Sequence, residues 1–124
     1  YYDGLGVQNI YRGEYIRVDG TLVSGPSLSD LVTETDPALD AEMQAKLSTT
    51  MMSLGRIKTA AEAGFAYDQM LERGNDAGEA LVMGGVNGLI DQTRSIERVV
   101  TALGLDQIAF EGSDSLDDPN AVFQ

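Results

Sequence analysis

The chain has 124 residues, of which 20 are acidic and 8 basic, so its formal net charge is −12. A surface that acidic repels phosphate backbones and anionic lipid, which argues against nucleic-acid and membrane-surface roles. Histidine and cysteine are both absent, so a Ser-His-Asp triad, a histidine-based zinc site and disulfide chemistry cannot be built from this chain alone.

In chain order, the first element is the stretch GLGVQNIYRGEY, residues 4–15. Leu5, Val7, Ile10 and Tyr11 recur at helical spacing among glycines 4, 6 and 13, which leaves open whether the stretch begins a protein or ends a helix whose first turns lie upstream of Tyr1. EYIRVDGTLVSG then sets Asp19-Gly20 between short alternating runs, a type I′ hairpin signal. A lone hairpin is marginal, and an ordered loop fits the same residues. GPSLSDLV offers Ser27 and Asp30 at capping spacing for one short helix.

The strongest signals follow. Asp36 as N-cap, Pro37 at the first helical position and Gly64 as a left-handed stop predict a long helix over 37–63. Along it Met43, Leu47, Thr50, Leu54, Ile57 and Ala61 form a bundle-type seam. A second long helix is opened by the pair Asp76 and Glu79 and stopped by Gly104. Its expected seam is Val82, Val86, Leu89, Thr93, Ile96, Val100 and Leu103. The connecting FAYDQML leaves room for one helical turn, and two long helices so joined lie antiparallel. The expected class is therefore all-α: an antiparallel long-helix hairpin forming part of a four-helix bundle, in one domain over 1–124, with irregular N- and C-terminal segments.

Candidate chemistry is sparse. Ala80, Gly84 and Gly88 make a small-residue stripe, for which close approach of a neighbouring helix outweighs space left for a ligand. Mid-helix glycines at 78, 84, 85 and 88 together cost about 3–4 kcal/mol relative to alanine, so packing has to offset them. Glu111, Asp114, Asp117 and Asp118 crowd the tail; a solvated acidic turn fits better than a calcium site, because the EF-hand order of ligands is missing. Arg94, Glu97 and Arg98 read as surface pairs, Met51 and Met52 as core filler, and Asp68 and Gln92 as interior hydrogen-bonding groups. No catalytic residue and no metal ligand is assigned.

The segments GVQNIYRGEY, VSGPSLSDLV, DPALDAEM, AYDQML, QTRSIERVVTALGL and FEGSDSLDDP together resemble the C-terminal half of imelysin-like proteins. These are bacterial cell-envelope proteins of the insulin-cleaving metallopeptidase group, related to periplasmic iron-uptake components. The resemblance implies a larger protein of two similar four-helix bundles with a pocket between them, in the periplasm or cell envelope. It implies that this chain's partner is the complementary N-terminal half, which carries the hallmark GxHxxE and with it any metal ion. No cofactor is assigned to this chain. Gly6, Gln8 and Tyr11 match the GxHxxE spacing in a degenerate form, with glutamine in the histidine place and tyrosine in the glutamate place. Both hydrogen-bond but are poor metal ligands, so Gln8 and Tyr11 are the expected ligand-binding residues of the cleft. The alternative function is a self-contained acidic module that homodimerises across the Ala80–Gly84–Gly88 stripe.

Overall fold

Asp36 and Pro37 fix where the longest run of structure begins. The Asp36 carboxylate accepts from the backbone N–H groups of Ala38 (3.1 Å) and Leu39 (3.0 Å), and Pro37 occupies a helical position whose N–H has no partner to lose. Replacing Asp36 by alanine should lower stability by about 1 kcal/mol, measured by urea denaturation. An unchanged midpoint would show that the cap is not holding this helix.

The structure is a computed structural model and describes residues 1–105. Its elements are α1 (Tyr2–Arg12), β1 (Glu14–Ile16), β2 (Leu22–Ser24), α2 (Leu28–Thr35), α3 (Pro37–Glu62), α4 (Tyr67–Met70) and α5 (Asp76–Ala102). The expected all-α class holds, with α3 and α5 as the antiparallel pair. Cross-contacts run in opposite order along the two helices. Glu42 meets Ser95 and Arg98, Lys46 meets Asp91, Thr50 Oγ1 donates to the Gly88 carbonyl at 2.9 Å, and Leu54 and Ile57 lie beside Gly85.

Both long helices stop in the same way. Phe65 N–H bonds the Ala60 carbonyl and Gly64 N–H that of Ala61; Leu105 bonds Val100 and Gly104 bonds Thr101. With Gly64 and Gly104 at positive φ, these are paired Schellman stops.

Four expectations about the elements themselves need correction. The N-terminal segment is regular rather than irregular: α1, a hairpin and α2, with Ser27 and Asp30 forming a reciprocal capping box. The hairpin pairs Glu14 with Ser24, Tyr15 with Val23 and Ile16 with Leu22, but its turn is not type I′. Gly20 alone has positive φ there, Gly20 N–H closes onto the Arg17 carbonyl, and the Asp19 carboxylate accepts from Thr21 N–H.

The third correction is at the start of α5. Asn75 is the cap, accepting from Gly78 N–H at 3.1 Å, and Asp76 stands inside the first turn beside Glu79. Both acids there complement the helix dipole instead. Fourth, the seam of α5 is rotated. Its buried positions are Gly78, Val82, Gly85, Gly88, Ile90, Gln92, Ser95 and Val99, and of the expected seam only Val82 is among them.

On α3 the expected seam is better kept. Met43, Leu47 and Thr50 are buried, Leu54 and Ile57 partly so, and Ala61 is exposed. The core gathers at one end of the pair, where Tyr11, Val32, Leu39, Met43, Leu47 and Val99 pack together, so that α1 and α2 back α3 and α5. Met70 on α4 is fully buried against the start of α5. Met52 is 61% exposed and fills no core, Gln92 is buried as expected, and Asp68 is exposed. The acidic tail residues 111–118 lie outside the described residues.

Candidate functional site

Two features meet where α1 joins the bundle. The first is polar. Tyr11 is held on the inner face of α1, 4% exposed, and its hydroxyl donates to Asp40 Oδ1 at 2.8 Å. The same oxygen accepts from Ser29 Oγ at 2.7 Å, and Gln44 Nε2 donates to Ser29 Oγ at 3.0 Å. Arg12, next in sequence to Tyr11, donates through Nε to Gln44 Oε1 (2.7 Å) and through a terminal nitrogen to Ser48 Oγ (3.1 Å). Asp40, Gln44 and Ser48 stand at i, i+4 and i+8 on α3, hence on one face, so one stripe of α3 receives both α1 and α2. Burial above all, then the hydrogen bond to Asp40 and its negative charge, push the Tyr11 hydroxyl well above its ordinary pKa of 10.0. It is therefore a proton donor and not a base at neutral pH.

The second feature is apolar. Val7, Ile10, Tyr11 and Leu28 face Ile96, Val99, Val100, Leu103 and Leu105 across an open groove of about 210 Å³. Ile96, Val100 and Leu103 belong to the expected seam of α5. They are only partly buried because the close approach to α3 is made by the smaller residues of the neighbouring face. The groove is thus made of core-type residues without a covering layer among the described residues, and Ile10 is 71% exposed.

Of the two expected site residues, Tyr11 lies at the junction of network and groove, with its ring lining the groove and its hydroxyl on Asp40. Gln8 is partly buried on the same helix, beside Val7. Asp40, Ser29, Gln44 and Arg12 were not singled out from the sequence. The i, i+4, i+8 polar stripe on α3 was the available signal.

Elsewhere, Arg98 is not a local pair with Glu97 or Arg94. It bonds both Glu42 oxygens at 2.6 Å, and with Ser95 it holds the Glu42 carboxyl below its usual pKa. Lys58 pairs with Glu62 along α3. Among the described residues, no group of three or more His, Cys, Asp or Glu side chains could hold a metal ion. Within the same residues, no helix is long and apolar enough to cross a membrane.

The small-residue stripe divides. A Cβ at Gly88 would sit 3.2 Å from Thr50 Cα, so Gly88 does give close helix approach, whereas one at Gly84 would meet nothing nearer than Ser53 Oγ at 4.0 Å. Gly84 and Ala80 line a shallow hollow with Ser53 and Arg56, and the tight contacts fall at Gly78, Gly85 and Gly88 instead.

An antiparallel helical bundle with an apolar flank left open among the described residues, joined to its first helix by a tyrosine–aspartate network, defines a helical-bundle protein. The family model for imelysin, peptidase family M75, matches residues 1–96, and the chain belongs to the imelysin family. The matched span contains the whole polar network and ends at Ile96, within the groove. No curated protein matches the chain.

Proposed function

We propose that this chain is the C-terminal bundle half of an imelysin-family cell-envelope protein. In this reading it forms an inter-domain pocket with the complementary N-terminal half and is not catalytic by itself. The observation that carries the reading is the groove of core-type residues between α1 and α5, left open among the described residues, with Ile10 at 71% exposure. Apolar surface of that kind, contiguous and rimmed by polar groups, marks an interaction site. The family match supports the assignment of the partner. In the pocket, Tyr11 contributes its ring and Gln8 its amide. The histidine and glutamate of GxHxxE, and any metal ion they hold, come from the other half, since this chain has no histidine.

Homodimerisation through Ala80, Gly84 and Gly88 is less well supported, because Gly88 already packs on Thr50 of the same chain. The deciding experiment mixes this chain with the separately produced upstream half of the same protein. A one-to-one complex in light scattering, with quenching of the fluorescence of a dye bound to exposed apolar surface, is the expected result. Two halves that stay apart at micromolar concentration would overturn the proposal.

A further inference from the structure

The groove is a trough between two helices. Val7 and Ile10 lie one turn apart on α1, and Ile96, Val100 and Leu103 run along two turns of α5. Side-chain rows spaced in this way complement a third helix, whose ridges fit between them.

An acidic residue stands next to the lining residues on each of the two helices. Asp3 stands one turn before Val7 and Glu97 one turn before Val100, and both are exposed. Two arginines of this region are turned elsewhere, Arg12 onto Gln44 and Ser48 and Arg98 onto Glu42. Arg94 lies one further turn back along α5 from Glu97. The whole chain carries −12, so a second copy would bring more of the same charge.

We propose that the trough seats one amphipathic α-helix, with apolar residues at i, i+3 or i+4, and i+7 and with lysine or arginine along its flanks. This rests on the reading of the groove as a docking face and adds the chemistry of what docks. The apolar stripe fills the groove, and the basic flanks meet Asp3 and Glu97.

The test uses the full chain and two labelled synthetic helices of roughly 18 residues, about five turns. Both carry a leucine stripe; one has lysine flanks and the other glutamate flanks. Fluorescence anisotropy should show the lysine helix binding in a salt-sensitive manner, and the glutamate helix binding roughly tenfold or more weakly. Val100→Asp should abolish binding of the lysine helix. That variant makes the chain more acidic, so non-specific attraction predicts the opposite. Ile10→Asp, at a position 71% exposed, repeats the test where folding is not at stake.

Equal binding of the two helices overturns the charge assignment, and lysine-helix binding that survives Ile10→Asp overturns the groove as its seat. Should the two halves of the protein fail to associate while the lysine helix still binds at the groove, the proposed partner falls and the groove's chemistry stands. Complex formation between the halves with neither helix binding has the reverse meaning.

Discussion

Gly78→Ala should destabilise the protein by about 3 kcal/mol, the upper part of the usual range for an overpacked site, whereas Gly84→Ala on the same helix should be neutral or stabilising. A Cβ at Gly78 would lie 2.3 Å from the Met70 carbonyl oxygen and 2.5 Å from Met70 Cα. Those are backbone atoms, and Met70 is fully buried, so neither a rotamer change nor a small side-chain shift relieves the collision. Either α4 must move off the start of α5 or the first turn of α5 must unwind. At Gly84 the same methyl enters open space, and the helix gains up to ~1 kcal/mol of propensity. Urea denaturation followed by circular dichroism reads both variants. Midpoints moving in the same direction would show that the contact between Met70 and Gly78 is not as close as the structure has it.

Glycines of one helix thus differ in sign, and this shows why part of the fold was legible in the sequence and part was not. Helix ends were legible because they depend on local chemistry. Asp36 and Pro37 start α3, Gly64 and Gly104 supply the left-handed residue for each stop, and Ser27 with Asp30 closes the cap of α2. Where two adjacent residues can both cap, local chemistry was ambiguous, and Asn75 took the place expected of Asp76.

The packed face of α5 was less legible for a different reason. Periodicity follows large apolar side chains and so selected Val86, Leu89, Ile96, Val100 and Leu103. Two helices approach most closely over small residues, and α5 turns Gly85, Gly88 and Ser95 toward α3, placing the larger side chains at its flank. Leu89 is left 41% exposed by this rotation. The same rotation creates the groove. The unexpected register and the apolar flank left uncovered among the described residues are therefore one observation.

The site was half legible. Tyr11 stood out through its spacing from Gly6 and Gln8, but its acceptor lies 29 positions away, and no local rule connects them. Asp40 in the first turn of α3 looks like an ordinary dipole-complementing acid. Only the chain reversal through α2 brings Ser29 and Asp40 to Tyr11.

The second large effect is expected at that acceptor. Asp40→Ala should destabilise by about 2–3 kcal/mol, because it leaves the Tyr11 and Ser29 hydroxyls without their shared acceptor, and a stranded buried donor costs roughly 1–3 kcal/mol. Tyr11→Phe removes donor and hydroxyl together, leaves Asp40 bonded to Ser29, and should cost only about 1 kcal/mol. In the double variant the stranded Tyr11 donor no longer exists, so the combined loss should fall short of the sum of the two.

Alkaline pH provides an independent reading of the same bond. The folded protein holds the Tyr11 proton beyond the ordinary pKa of 10.0, while the unfolded chain releases it near that value. The stabilisation is therefore complete below about pH 10 and is lost as pH rises above it. Tyr11→Phe should flatten that part of the stability profile. A strictly additive double variant, with an alkaline slope that Tyr11→Phe leaves unchanged, would mean that the tyrosine hydroxyl and Asp40 do not act as a pair. The anchoring of α1, and with it the Tyr11 ring in the groove, would then have to rest on Arg12 and its bonds to Gln44 and Ser48.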